Sequence, residues 1–316
     1  MANDNSNLRE ARKTKNDEFF TQESDIIEEC SHYIDYFKNK IIFCNCNDGA
    51  NSNFLKYFSE NFYRFKLKKL ICTTYNKNER GYVSLFDGDD WLTKPLNGDG
   101  SYSSNECIEY LKECDVVVTN PPFSLFRDYV NLLMKYNKKF LIIGNLNAVT
   151  YMELFPYIMN NQMWFGSTCF YGGSTYFYGD ADIFDKNKIF RDRYAYIKDN
   201  QLYWRVNGVR WFTNIDHEKR HKQLMLNKSY NEDEYQKYDN YDAINIDRVN
   251  NIPMDYDEVM GVPISFLDKY CPEQFEILGL MNGGRGNCLV NGNDGRPKFY
   301  VNDKVVYARI LIKKKK

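Results

Sequence analysis

The chain lacks any apolar run near the ~20 residues that a membrane-spanning helix needs, which excludes a helical membrane protein. Met1 to Asn16 is polar throughout and has no secretory h-region. A soluble, cytoplasmic protein is expected. Histidine is scarce, with only His32, His217 and His221. The cysteines number nine, an odd count, and include no Cys-x-x-Cys pair; Cys44 and Cys46 form only a Cys-x-Cys. No finger-like ligand set can be written from these residues, so no metal site is expected. The cysteines read as reduced residues of a cytosolic core. Net charge is also lacking, since 42 Lys and Arg against 43 Asp and Glu leave −1. A globally basic nucleic-acid binder is excluded, and any DNA contact has to come from local patches. There is no internal repeat.

What is present is a length of 316 residues, 43% of them hydrophobic. That fits one large domain or two modest ones with a real core. Aromatic residues are abundant, with 26 Tyr and 22 Phe. Codon bias accounts for this where Asn, Lys and Ile are abundant too; stacking surfaces for bases are the other reading.

The first half alternates short apolar runs with helical spacing. Strands are expected at 40–44, 69–73, 81–86, 115–119 and 140–144, and helices at 25–37, 107–111 and 126–136. Continuous apolar strands separated by helices imply a parallel sheet covered on both faces. Ligands in such sheets bind beyond the carboxyl ends of the strands. Attention therefore falls on loops 45–53, 73–78 and 120–123. Residues 160–215 are rich in aromatics and Gly and read as strands and hairpins, with Val209 to Thr213 as the last strand of the sheet. From Asp216 the chain is strongly charged, which puts a boundary near 215: a catalytic domain at 1–215 and a further region at 216–316.

The chemistry-bearing segment is Asn120-Pro121-Pro122-Phe123, directly after the strand at 115–119. An exocyclic amino group on a base is a poor nucleophile because its lone pair is delocalised into the ring. Two acceptors, one per N–H, can draw that nitrogen toward tetrahedral geometry. The Asn120 side-chain oxygen and the Pro121 carbonyl can supply them. The prolines stiffen the turn so that the acceptors are preorganised, and Phe123 offers a flat face to an extruded base. For a methyl donor, Asn45-Cys46-Asn47-Asp48-Gly49-Ala50 is a small polar turn after the first strand, with too few glycines for a dinucleotide loop. Asp17 to Thr21 precedes a helix that could close over the donor, and Asp99, between Gly98 and Gly100, offers a carboxylate.

The segments Asn16-Asp17-Glu18-Phe19-Phe20-Thr21, Val118 to Arg127, Lys139 to Asn145, Trp211 to Asn214, Lys237 to Ile244 and Gly261 to Leu267 together resemble the EcoRI-type adenine-specific DNA methyltransferases, over nearly the whole chain. The resemblance implies an α/β fold with a seven-stranded, Rossmann-like S-adenosylmethionine-dependent methyltransferase core and a C-terminal target-recognition region. It implies S-adenosylmethionine as cofactor, double-stranded DNA as partner and the N6 amino group of adenine as target. By motif, Phe19, Thr21, Asn45, Asn47, Asp48 and Asp99 fall on cofactor motifs, and Asn120, Pro121, Pro122 and Phe123 on the catalytic motif. Two positions depart from the family pattern. Thr73-Thr74-Tyr75 stands where a ribose-binding carboxylate is usual, and the first motif lacks its glycine pair. Lys219, Arg220 and Lys222 are the densest candidate DNA contact, with Lys313 to Lys316 second. A monomer is expected, with a cognate restriction endonuclease as a functional rather than physical partner. An RNA-base or protein-glutamine amino-methyltransferase, and an inactive DNA-binding protein of the same fold, remain open at this point.

Overall fold

A computed structural model describes residues 21–45, 52–170, 174–179, 195–198, 201–281, 291–293, 295 and 298–315. The chain divides into two compact units, the first comprising 1–145 and 168–215, the second 146–167 and 216–316. The second unit therefore takes in a segment, 146–167, that the sequence reading left with the catalytic domain.

In the first unit, helix α1 (Glu23–Cys30), a short 3-10 turn and α2 (Ile34–Phe37) lead into strand β1 (Ile41–Cys44). A single helix over 25–37 was the expectation; the chain instead kinks at Ser31–Tyr33, where Ser31 Oγ donates to the Glu28 carbonyl. Then come α3 (Asn53–Glu60), β2 (Lys69–Thr74), β3 (Tyr82–Phe86), β4 (Trp91–Pro95), α4 (Asn105–Glu113), β5 (Val116–Thr119), α5 (Phe126–Lys135) and β6 (Lys139–Asn145). Strands β1, β2, β5 and β6 are mutually parallel, in the order β2-β1-β5-β6. Each is an apolar run buried on both faces, as parallel strands covered by helices must be. The sheet is nevertheless mixed. Strand β3 pairs antiparallel with β2, β4 antiparallel with β3, and Val209–Thr213 antiparallel with β6. Strand β4 is exposed along its whole length, so the expected two-sided cover does not extend to that edge.

The helices pack by the spacing of their apolar residues. Helix α5 buries Phe126, Tyr129, Val130 and Leu133, an i, i+3, i+4, i+7 stripe. Helix α3 is capped by the Ser52 hydroxyl, which accepts from Leu55 N, and buries Phe54, Leu55, Tyr57 and Phe58. Phe54 meets the Trp211 ring edge-on at 6.1 Å, and Phe170 stacks on the same indole at 5.8 Å and 14°. Gly144 is required where α5 crosses β6, because a Cβ there would enter the Phe126 ring.

Residues 174–179, 195–198 and 201–207 form a three-stranded antiparallel sheet, as the aromatic hairpin pattern suggests. In the second unit a five-stranded sheet places Arg309–Lys314 between Met260–Pro263 and Phe275–Met281. Lys313 and Lys314 thus belong to a central strand rather than a free tail. They pair with Glu258 at 3.3 Å and Asp257 at 3.0 Å. No helix among the described residues is long and apolar enough to cross a membrane.

Candidate functional site

The carboxyl ends of β1, β2 and β5 carry a group of buried polar residues in an otherwise apolar core: Asn45, Thr73, Thr119 and Asn120, each at most 6% exposed, joined by Thr21 at 4%. Burying so many neutral polar side chains is costly unless they are paired, and several of them pair with one another. The Thr119 hydroxyl donates to the Asn45 carbonyl, and the Tyr129 hydroxyl donates to the Asn45 side-chain oxygen. Asn120 Nδ2 donates to Thr21 Oγ1 at 3.2 Å, and Asn53 Nδ2 donates to the Thr21 carbonyl at 2.8 Å.

The turn from Asn120 to Phe123 is buried and closed. Pro121, Pro122 and Phe123 are buried, and Leu125 N donates to the Pro122 carbonyl at 2.9 Å, closing the turn before α5 begins. The Phe123 ring is 3% exposed and packs in the core cluster that holds Phe54, Phe170 and Trp211.

Asp99 is half-buried and lies at the end of β2. Its carboxylate accepts from Ser101 N at 2.9 Å, and its carbonyl accepts from Asn76 N at 2.8 Å. This close approach depends on Gly100, which has φ +80° and sits so near the Thr74 carbonyl that no side chain fits. The Asp99–Gly100 backbone is thereby held against the end of the strand that carries Thr73 and Thr74. Asn45 serves as a fastener between β1, β5 and α5, with both its oxygens engaged. Phe19, Asn47 and Asp48 lie outside the described residues.

Tyr129, Thr119 and Asn53 are the site-supporting residues that motif reading passed over. The helical stripe marks Tyr129 as buried, but nothing in the sequence names the partner of its hydroxyl.

In the second unit, Arg220 is not the exposed cation its cluster suggested. It is 8% exposed, with its guanidinium 3.7 Å from the centre of the Trp164 ring and bonded to Asp216 and Asn161. Lys222 is exposed and Lys219 half-exposed. The His217 ring bonds to the Phe165 carbonyl at 2.9 Å, and burial pushes its pKa down. The exposed His221 lies between Asp216 and Glu273, both at 2.9 Å; hydrogen bonds to those carboxylates lift its pKa. Lys186, Lys188, Arg191 and Arg193, a further basic stretch, fall outside the described residues.

A sheet of parallel strands whose carboxyl ends gather buried amides and hydroxyls around an Asn-Pro-Pro-Phe turn defines an α/β methyltransferase of the amino-group class. The family described as adenine-specific methyltransferase EcoRI matches residues 7–93 and 86–315. The chain is 41% identical to the type II methyltransferase M.EcoRI of Escherichia coli, covering 99% of this chain and 97% of that protein. It is 39% identical to the type II methyltransferase M.MgeORF184P of Mycoplasma genitalium and 37% to M.MpnI of Mycoplasma pneumoniae, each over 96% of this chain and 97% of the relative. The chain belongs to the EcoRI-type family of adenine-specific methyltransferases, and it is a DNA adenine methyltransferase.

Proposed function

We propose that this enzyme moves a methyl group from S-adenosylmethionine to the N6 amino group of an adenine extruded from double-stranded DNA. The observation that carries the reading is the Asn120 amide, buried at the end of a parallel strand with its nitrogen bonded to Thr21. With the nitrogen committed there, the oxygen is the end of the amide that serves the substrate. The site fits the proposed cofactor by the chemistry of its lining. Hydroxyls, an amide and a half-buried carboxylate converge at the ends of β1 and β2. Among the described residues the fully buried Thr73 hydroxyl makes no hydrogen bond beyond its approach to the Cys107 thiol. Thr21, Asn45 and Asp99 would hold that molecule, with Phe19, Asn47 and Asp48 completing the set, and its sulfonium supplies an electrophilic methyl group.

The chain's own part is positioning. Asn120 Oδ1 and the Pro121 carbonyl accept the two N–H bonds of the adenine amino group and direct its lone pair. The buried prolines keep these acceptors from reorganising, which is the main source of rate in such sites. Phe123 stacks on the base once a neighbour yields, because its ring is covered by the core. The second unit, with Lys219 and Lys222, serves as the DNA recognition region. A restriction endonuclease of the same specificity is its functional counterpart.

Methyl-labelled donor offered with unmethylated duplex DNA should label adenine at N6. Asn120→Ala should slow this transfer at least about a hundredfold, the usual cost of losing one preorganised polar group, while calorimetric binding of S-adenosylmethionine changes little. Retention of more than about a tenth of the wild-type rate would overturn the assignment of Asn120.

A further inference from the structure

Strand β4 is an edge strand of the large sheet, and every residue from Trp91 to Pro95 is exposed. Its inner side pairs with β3, and just beyond it Leu96 N donates to the Gly81 carbonyl at 2.8 Å. Successive residues of a strand turn their backbone groups to opposite neighbours. Leu92 and Lys94 therefore face β3 as Leu96 does, while Trp91, Thr93 and Pro95 face away from the sheet. An edge of this kind is a template for a further strand. This one also exposes apolar side chains, Trp91 at 44% and Leu92 at 58%.

We infer that β4 is a self-association surface, on which a second copy of this chain adds its own β4 in antiparallel register about a two-fold axis through Leu92. The segment Asp90-Trp91-Leu92-Thr93-Lys94 is complementary to itself when reversed. With the axis at Leu92, Asp90 stands opposite the partner's Lys94, and Lys94 opposite the partner's Asp90. Opposite residues share a face of the sheet, so that face carries two ion pairs flanking a leucine pair. These are the positions without backbone hydrogen bonds, where side chains come closest. On the other face each Trp91 lies against the partner's Thr93. The outward backbone groups of Trp91 and Thr93 then exchange hydrogen bonds across the axis. Pro95, which has no N–H to give, falls just beyond that ladder. An axis moved to Thr93 would set Pro95 opposite Trp91, lose a donor from each copy, and put Lys94 against leucine. Among the described residues, neither the Asp90 carboxylate nor the Lys94 ammonium is engaged by another side chain. Exposed ion pairs and a short ladder make the association weak, and the monomer expected from the sequence is the dilute form of the chain.

The test is sedimentation velocity of the full chain at protein concentrations from about 1 to about 200 µM, where weak pairs form and dissociate. The average mass should rise toward that of a dimer with concentration. Added salt should lower it, because the ion pairs are exposed. Asp90→Lys sets lysine against lysine and should raise the dissociation constant at least about tenfold, and Lys94→Asp should do the same. The double variant restores both pairs in the reverse sense and should return to within about threefold of the unchanged chain. Melting temperature, measured alongside, should be the same in all of them. Should a charge reversal fail to fold, Thr93→Pro takes its place, since it removes only an outward N–H, and it too should suppress the dimer. A chain that stays monomeric across the whole range overturns the inference. So does a dimer indifferent to both single reversals, or a double reversal that fails to restore it, because another surface would then join the copies.

Discussion

The Phe123 ring is packed in the cluster with Phe54, Phe170 and Trp211, and the proposed function also asks of it a face for the flipped base. Phe123→Ala should therefore act twice. It should weaken capture of the base by about 1–3 kcal/mol and lower stability through the cavity it leaves, by about 3–5 kcal/mol. Phe123→Tyr keeps the flat face at little change in volume and should lose far less of either. A 2-aminopurine placed at the target position reports extrusion separately from melting. An equal fluorescence rise with the Ala variant and the wild type would leave Phe123 a packing role alone. His221 is the residue-scale case for pH. Its pKa is lifted by hydrogen bonds to Asp216 and then Glu273, so its contribution to stability is complete below the ordinary histidine range. That contribution is lost as pH rises through the lifted value. His221→Gln should lower the melting temperature more at about pH 6 than at about pH 8.5. His217 titrates in the opposite sense, since burial depresses it and acid must charge it inside the fold. The comparison is therefore made between variant and wild type at each pH, where the His217 contribution cancels. A difference independent of pH would refute the ion-pair account of His221.

Among the elements, the crossing of α5 over β6 positions the catalytic turn, because α5 begins three residues after Phe123. Gly144 permits the close contact with Phe126. Gly144→Ala should cost roughly 1–3 kcal/mol of stability by overpacking, read as a lower denaturant midpoint with an unchanged slope. A neutral result would mean that α5 shifts freely on the sheet. The 3-10 turn Glu218–His221 supports its own structure rather than presenting a uniform basic face. Arg220 turns inward onto Trp164, Lys222 faces solvent, and Lys219 is half-exposed. The repeating charges looked equivalent in sequence because a charge run carries no record of which residue faces a neighbouring aromatic ring. The core strands were legible for the opposite reason. Val116 to Thr119 and Phe140 to Ile143 are apolar enough to be buried whatever covers them.

At the scale of the whole molecule, a net charge of −1 means that phosphate contacts are concentrated. Each contact contributes about −0.9 to the slope of log affinity against log salt. Replacing Lys219 and Lys222 by Gln should flatten that slope by up to about two units, alike for methylatable and unrelated duplexes. Arg220→Gln should instead lower the melting temperature, because it removes a buried cation from its ring and its two polar partners. A slope unchanged in the double lysine variant would place the DNA backbone contacts elsewhere. A slope that flattened as much for Arg220→Gln, without loss of stability, would return Arg220 to the DNA face.

The sequence by itself determined the parallel strands, the helix stripes and the Asn-Pro-Pro-Phe turn at a strand end. These depend on residue type and spacing along a few neighbouring positions, and the family likeness followed from the same segments. Tertiary structure decided what depends on distant partners. It joined Thr21 to Asn120, set the hydroxyl of Tyr129 against Asn45, and carried Asp99 to the end of β2. It also gave 146–167 to the second unit and placed Lys313 and Lys314 in a central strand opposite Asp257 and Glu258. The physical reason is that periodicity reports whether a side chain is buried. It does not report which group meets that side chain there, and hydrogen bonding and electrostatics depend on that second fact.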